Sequence, residues 1–123
     1  MSVPSPEDRE DAVIALLRGL SESAIQSNLA RSVVIADALQ AAEAGQLSES
    51  QRLAAVAAAH QVVGSAGTFG LPRASRAAAR LEEFLTPAVP KITPGPALME
   101  ARGQLDELTA LLVAGSADHQ FEE

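Results

Sequence analysis

The segment from Ser48 to Gly70, SESQRLAAVAAAHQVVGSAGTFG, decides the fold of this 123-residue chain. Ser48 with Gln51 three residues later is the pattern of a helix N-terminal capping box, and Gly70 is a residue type that ends helices. At about 100° per residue, one side of this helix gathers an apolar stripe that predicts a face buried in a core. The stripe consists of Ala55, Ala58, Val62, Ala66 and Phe69.

The other side of the predicted helix carries His60, which points nearly opposite to that stripe. A helix in a bundle buries only one of two apolar faces well. We therefore expect something else to cover the second face, either an N-terminal helix of the same chain or a docking partner. The side chains around His60 on this second face are also apolar or small: Leu53, Val56, Ala57, Val63, Gly64 and Gly67.

Gly64 follows His60 by four residues and so lies beside the imidazole on the helix surface. Glycine inside a helix costs about 1 kcal/mol relative to alanine, and this chain uses alanine at 25 positions. Without a β-carbon, the position lets another molecule approach the ring, and imidazole is a nucleophile near pH 7. The alternative for Gly64, and for Gly67 near the helix end, is close packing between helices.

Glycine and proline breaks divide the chain into five predicted helices, and no window alternates as a strand would. The predicted fold is all-α: an antiparallel up-down four-helix bundle over residues 21–115. An additional short N-terminal helix in residues 1–20 is expected to pack on the bundle and cover one end, and residues 116–123 to form an acidic flexible tail. The predicted helices span residues 6–19, 21–45, 48–69, 72–85 and 96–115.

The composition excludes several classes of function. Lysine and arginine total 9 against 16 aspartates and glutamates, a net charge of -7 that argues against nucleic-acid binding. The absence of cysteine removes disulfides and zinc or iron–sulfur clusters, and His60 and His119 are too far apart in sequence to make a metal site. No constellation for hydrolysis or redox catalysis is present. With neither a membrane-spanning run nor a secretory signal, we expect a cytoplasmic protein.

The motif around His60 continues to the end of its helix and onto the next one. It consists of His60-x-x-x-Gly64-Ser65-Ala66-x-x-Phe69-Gly70 and, further on, Leu81-Glu82. This motif resembles the histidine-containing phosphotransfer (HPt) domain of bacterial two-component phosphorelays, and the likeness covers residues 21–115. The resemblance implies a four-helix bundle whose exposed histidine takes a phosphoryl group from the aspartate of one response-regulator receiver domain and gives it to another.

Carried over residue by residue, the resemblance makes His60 the phosphoacceptor, while Gly64 keeps its surroundings open. Glu82 falls where family members often place a polar side chain near the imidazole. Magnesium and the acidic pocket belong to the receiver, so the chain is expected to be a phosphocarrier without a cofactor, not an enzyme. The expected partners are receiver domains or a hybrid sensor kinase, which dock transiently on a monomer. The docking surface would include Leu53, Val56, Ala57 and Gly67.

Val63 departs from the family pattern, which usually has lysine three residues after the histidine. The absence of this lysine should weaken the stabilisation of a phosphohistidine, because charge-assisted hydrogen bonds contribute about 1.5 to 3 kcal/mol. Gln61 can donate only a neutral hydrogen bond, and only if its side chain curls round. We interpret Val63 as a change in rate or partner preference.

Two other functions stay open at this point. One is a helical interaction module that binds and regulates a receiver or kinase without accepting phosphate, which Val63 favours. The other is an unrelated structural bundle in which His60 is a buried core residue. The exposure of His60 distinguishes this structural bundle from a phosphocarrier.

Overall fold

The computed structural model describes Val3, residues 5–88 and residues 92–121, with side chains as far as Gly115. All regular secondary structure in this part of the chain is helical: α1 (Pro6–Glu43), α2 (Glu49–Thr68), α3 (Pro72–Leu85) and α4 (Pro96–Phe121). Each helix packs against the next and α4 packs against α1, whereas α2 and α4 are diagonal, without close backbone contact over the described ranges. The predicted all-α four-helix bundle is confirmed.

The ends of α2 follow the signals in the sequence. Ser48 is the N-cap, and its hydroxyl accepts a hydrogen bond from the backbone N–H of Gln51 at 3.1 Å. The Gln51 side chain donates to the carbonyl of Asp37 on α1 at 3.3 Å, rather than back to the cap. At the other end Gly70 has a φ of 78° and closes the helix with a Schellman turn. Both ends of α2 are therefore fixed by local hydrogen bonds.

The core between the helices is built largely from small side chains on α2 and α3. Alanines at these positions let the two helices approach closely. Four residues of the predicted stripe of α2 are buried in this core and the fifth, Phe69, is only half-buried; the side of α2 that carries His60 lies outside the core. The buried apolar residues of α2 are Ala55, Ala58, Ala59, Val62 and Ala66, and those of α3 are Ala74, Ala77, Ala78, Leu81 and Leu85.

Arg52 joins the start of α2 to the end of α3. Its side chain is buried, and Nη1 donates to the carbonyl oxygens of Leu85 at 2.9 Å and Thr86 at 2.8 Å. These carbonyls have no partner within α3, so the guanidinium satisfies the C-terminus of that helix. Nε and Nη2 of the same guanidinium donate to Glu49, and this hydrogen bonding raises the pKa of Arg52. The contact helps to set the register of α2 against α3.

The N-terminal part of the chain differs from the prediction, because residues 6–43 form one continuous helix of 38 residues. Gly19 lies inside it, since a single glycine costs only about 1 kcal/mol and no proline stands nearby to break the helix. Residues 6–20 are exposed apart from a half-buried Arg18, so they do not cover an end of the bundle. The prediction of a separate short helix packed on the bundle is wrong. Met1, Ser2 and Pro4 lie outside the described residues.

The C-terminal end also differs, because α4 continues to Phe121 instead of ending at residue 115. Gly115 is not a stop signal: a β-carbon there would lie 3.3 Å from Cδ2 of Leu71 and 3.6 Å from Cδ1 of Ile25. The small size of Gly115 therefore lets α4 pack closely against Leu71 and Ile25. The predicted acidic tail is wrong for residues 116–121, and residues 122–123 lie outside the described part of the chain.

Replacing Gly19 with alanine should stabilise the first turns of α1. Gly19 does not have a positive φ, and a β-carbon there would meet no atom within 4 Å. The gain of about 1 kcal/mol should slow amide hydrogen exchange in residues 12–20 up to about fivefold. Gly45→Ala is the contrasting control, because a φ of 69° makes the same replacement destabilising. Unchanged exchange in Gly19→Ala would contradict a continuous α1 in solution.

Candidate functional site

His60 lies on α2, on the side that faces away from the core, and its side chain is 75% exposed. This exposure contradicts the alternative of a structural bundle with a buried histidine. Nδ1 of His60 lies 2.9 Å from Oε2 of Glu82 on α3. Glu82 follows the fully buried Leu81 in α3 and is itself half-buried, so the packing of α3 fixes where its carboxylate meets the ring.

The contact between His60 and Glu82 determines which ring nitrogen is free. An ionised carboxylate can only accept hydrogen bonds. Nδ1 of His60 therefore carries the ring proton and donates a hydrogen bond to Glu82. The neutral ring then keeps its lone pair on Nε2, the nitrogen distal to the backbone. The pair therefore presents an oriented nitrogen nucleophile at the surface of α2.

The two glycines beside His60 are not required by the packing of the described residues. A β-carbon on Gly64 would meet nothing within 4 Å, and one on Gly67 would make only an ordinary contact, 3.6 Å from Oγ of Ser75. Neither glycine has a positive φ. Close helix packing, the alternative considered for both positions, therefore does not explain the glycines, and the helical cost of Gly64 has no compensation within the described chain.

Val63 and Gln61 both follow His60 in α2 and lie on either side of it around the helix axis. Val63 is half-buried and packs against the core, while its carbonyl oxygen accepts a hydrogen bond from the Ser75 hydroxyl of α3 at 2.8 Å. Gln61 is exposed, and its side chain makes no hydrogen bond within the described residues. Neither side chain therefore takes the place of the missing lysine charge.

The exposed side of α2 forms a continuous surface around the imidazole. It runs for about 21 Å along the helix at 1.5 Å per residue. Val56 lies at its edge, half-buried against the core. Because residues 6–20 of α1 are themselves exposed, the expectation that an N-terminal helix covers this surface is wrong. We call it the outer face of α2, and its residues are Leu53, Ala57, His60, Gly64 and Gly67.

Ser65 has a partner that the sequence did not indicate. Its hydroxyl oxygen accepts a hydrogen bond from Nδ2 of Asn28 on α1 at 3.1 Å. Asn28 is buried, and its Oδ1 accepts from Nη1 of Arg31 at 2.8 Å. The serine of the motif therefore links α2 to α1.

No group of three or more histidine, cysteine, aspartate or glutamate side chains in the described part of the chain could hold a metal ion. His119 lies beyond the last described side chain. Within the described residues, none of the helices has both the length and the apolar character needed to cross a bilayer.

Comparison with known proteins identifies the family. Residues 23–115 match the family model of the Hpt domain. No curated protein and no solved structure matches the chain. Hpt domains are phosphotransfer modules of two-component phosphorelays that interact with response-regulator receivers or kinases, and they are phosphocarriers rather than enzymes. The match covers more than half of the 123 residues, and this chain belongs to the Hpt domain family.

Proposed function

We propose that this domain carries a phosphoryl group on Nε2 of His60, taken from the aspartyl phosphate of one receiver domain and given to the aspartate of another. The observation that carries the proposal is the open space above Gly64, because glycine there costs helix stability and the described chain places nothing near it. An exposed imidazole beside this space, with Nδ1 already bound to Glu82, supplies the nucleophile.

The chemistry needs no proton transfer in either half-reaction. Nε2 of His60 attacks the phosphorus of the aspartyl phosphate, the N–P bond forms, and the P–O bond breaks with its electron pair leaving on the aspartate carboxylate. The ring now bears a positive charge, shared with the protonated Nδ1, beside the carboxylate of Glu82. In the second half-reaction a receiver carboxylate attacks the phosphorus, and the N–P electron pair returns to Nε2. Magnesium is expected in the acidic pocket of the receiver.

The outer face of α2 is the proposed docking surface for the receiver. Leu53 is 53% exposed and supplies apolar area, while Ala57 and Gly67 are small and leave the approach to the ring open. Val56 contributes only its exposed edge, since the rest of its side chain packs on the core. The arginines of α3, which are Arg73, Arg76 and Arg80, would alter mainly the rate at which a receiver associates.

A phosphotransfer assay tests the proposal directly. The purified domain is incubated with phosphorylated receivers of its host, and the labelled protein is then exposed to acid and to alkali. A phosphoryl group on an imidazole nitrogen is lost in acid and kept in alkali, whereas an aspartyl phosphate is lost in alkali. Labelling that is alkali-stable and acid-labile supports the proposal, and the absence of any label with the full set of receivers contradicts it.

The second candidate is an interaction module that binds a receiver or kinase without accepting phosphate. Val63 favours it, because no lysine steadies a phosphoryl group on His60. In this case His60→Ala would keep both partner binding and the cellular phenotype. Loss of the phenotype with binding retained would instead support the phosphocarrier.

Removing the carboxylate of Glu82 should slow phosphoryl uptake by His60. In Glu82→Ala the ring loses its hydrogen-bond partner, so both tautomers are populated and the rate should fall about tenfold, as for other side chains that orient a histidine. Glu82→Gln keeps an acceptor oxygen and should retain most of the rate. The ¹⁵N chemical shifts of the imidazole report the tautomer, and a purely structural role of Glu82 would leave them unchanged. Glu83→Ala, at the exposed neighbouring position, is the matched control.

A further inference from the structure

We infer that the described part of the domain supplies no positive charge to the phosphoryl group on His60, so that the charge comes from the docked partner and the group is held only in transit. The inference rests on the proposed function and concerns how the same site is regulated. It follows from where the arginines lie in relation to His60 and Glu82; Lys91, the one lysine of the sequence, lies outside the described residues.

None of the eight arginines, all of them in the described residues, makes a hydrogen bond or ion pair with His60 or Glu82. Four are engaged elsewhere in the bundle. Arg31 donates to Asn28, and Arg52 to Glu49 and the end of α3. Arg73 pairs with Glu107 of α4 at 3.5 Å, and Arg80 approaches Gln104 of α4 at the same distance. Their contacts direct them away from the ring.

The other four arginines are separated from His60 by the geometry of their helices. Arg76 precedes Glu82 by six residues on α3, about 9 Å along the helix and about 120° around it. Arg102 is on α4, which is diagonal to α2. Arg9 and Arg18 belong to the first turns of α1. The Asn28–Ser65 contact places His60 level with about residue 33 of α1, so both arginines lie at least about 22 Å away along the helix axis.

The backbone and the nearest side chains do not replace these cations. Free N–H groups occur in the first turn of a helix, and His60 lies three turns into α2 with its neighbours hydrogen-bonded along the helix. Val63 is apolar at the position next to the ring, and the charged group in contact with the ring is the carboxylate of Glu82. A phosphoryl group brings about 1.5 to 2 further negative charges to this surface.

A phosphohistidine without a receiver therefore has no electrostatic support from the described residues of this domain. When a receiver docks, the magnesium ion expected in its acidic pocket is the nearest source of positive charge for the group in transfer. The equilibrium between phosphohistidine and aspartyl phosphate should accordingly lie toward the receiver, and the domain should pass its phosphoryl group on rather than store it.

Val63→Lys tests this inference, because it restores a cation three residues after His60, and a lysine stem can stay against the core while its amine reaches solvent. With a receiver that labels the domain, the ratio of phosphohistidine to aspartyl phosphate at equilibrium should rise about three- to tenfold. Gln61→Lys is a second variant at the exposed position next to His60, outside the outer face of α2. Val113→Lys, on the exposed side of α4, adds the same charge away from the site and should leave the ratio unchanged.

The outcomes separate this inference from the proposed function. If the unmodified domain takes no label, the proposed function fails. If it is labelled normally but neither Val63→Lys nor Gln61→Lys changes the ratio, the inference is overturned while the phosphocarrier stands. An equal rise in Val113→Lys would also overturn it, because the effect would then belong to net charge and not to the site.

Discussion

Replacing His60 with glutamine should abolish phosphoryl transfer to the domain, with no label detectable above the background of the assay. The nitrogen of the glutamine amide is not a nucleophile, because its lone pair is delocalised into the carbonyl group, and loss of a nucleophile that acts directly costs factors of a thousand or more. The fold should survive, because the side chain is 75% exposed and glutamine is a good helix former. Circular dichroism and the midpoint of urea unfolding should match those of the unmodified protein.

The same replacement at the other histidine provides the control. His119→Gln should leave the label unchanged, since the chain contains only two histidines and the proposed acceptor is the other one. Label that persists in His60→Gln and disappears in His119→Gln would falsify the assignment of the acceptor. Label that persists in both variants would show that neither histidine is required by itself, and the double replacement of His60 and His119 would then distinguish acceptance by either histidine from acceptance by another residue type.

The part of the fold that could be predicted from sequence is the part set by local signals. Ser48 and Gly70 act within one turn of themselves, so the limits of α2 and the side on which His60 lies follow from the sequence alone. The buried stripe of α3 was predictable for the same reason, since its alanines and leucines repeat at helical spacing. The site was accessible to prediction because its histidine and Gly64 lie one turn apart on a single helix.

The predicted helix limits are wrong where a glycine packs against residues distant in sequence or lies inside a helix at a small cost. Glycine is a residue type that often ends helices, but neither Gly19 nor Gly115 adopts a positive φ. The small residue at position 115 is explained by the neighbouring side chains of Leu71 and Ile25, which the local sequence does not show. The Asn28–Ser65 hydrogen bond joins residues 37 positions apart, which no local pattern reveals. Contact between His60 and Glu82 was accessible only through the family resemblance, because it depends on the register of α2 against α3.

The second large effect is expected at Gly64, where leucine should reduce the rate of phosphoryl transfer about 100-fold while leaving the bundle intact. Leucine favours the helix more than glycine does, and a β-carbon at Gly64 meets nothing within 4 Å, so the isolated domain should become slightly more stable. The added side chain instead occupies the space beside Nε2 that a receiver needs. Blocking the centre of a docking surface typically costs 2 kcal/mol or more, which corresponds to about 30-fold and upward.

Gly103→Leu provides the matched control, because it makes the same change at a second exposed helical glycine with no atom within 4 Å of its β-carbon. Gly103 lies on α4, which has no close backbone contact with α2 in the described ranges, so transfer should proceed at the unmodified rate. A comparable gain in stability in both variants, with slower transfer only in Gly64→Leu, would show that the glycine at position 64 serves the approach of the receiver. If Gly64→Leu transfers as fast as Gly103→Leu, the partner approaches His60 from another direction, and the outer face of α2 is not the docking surface.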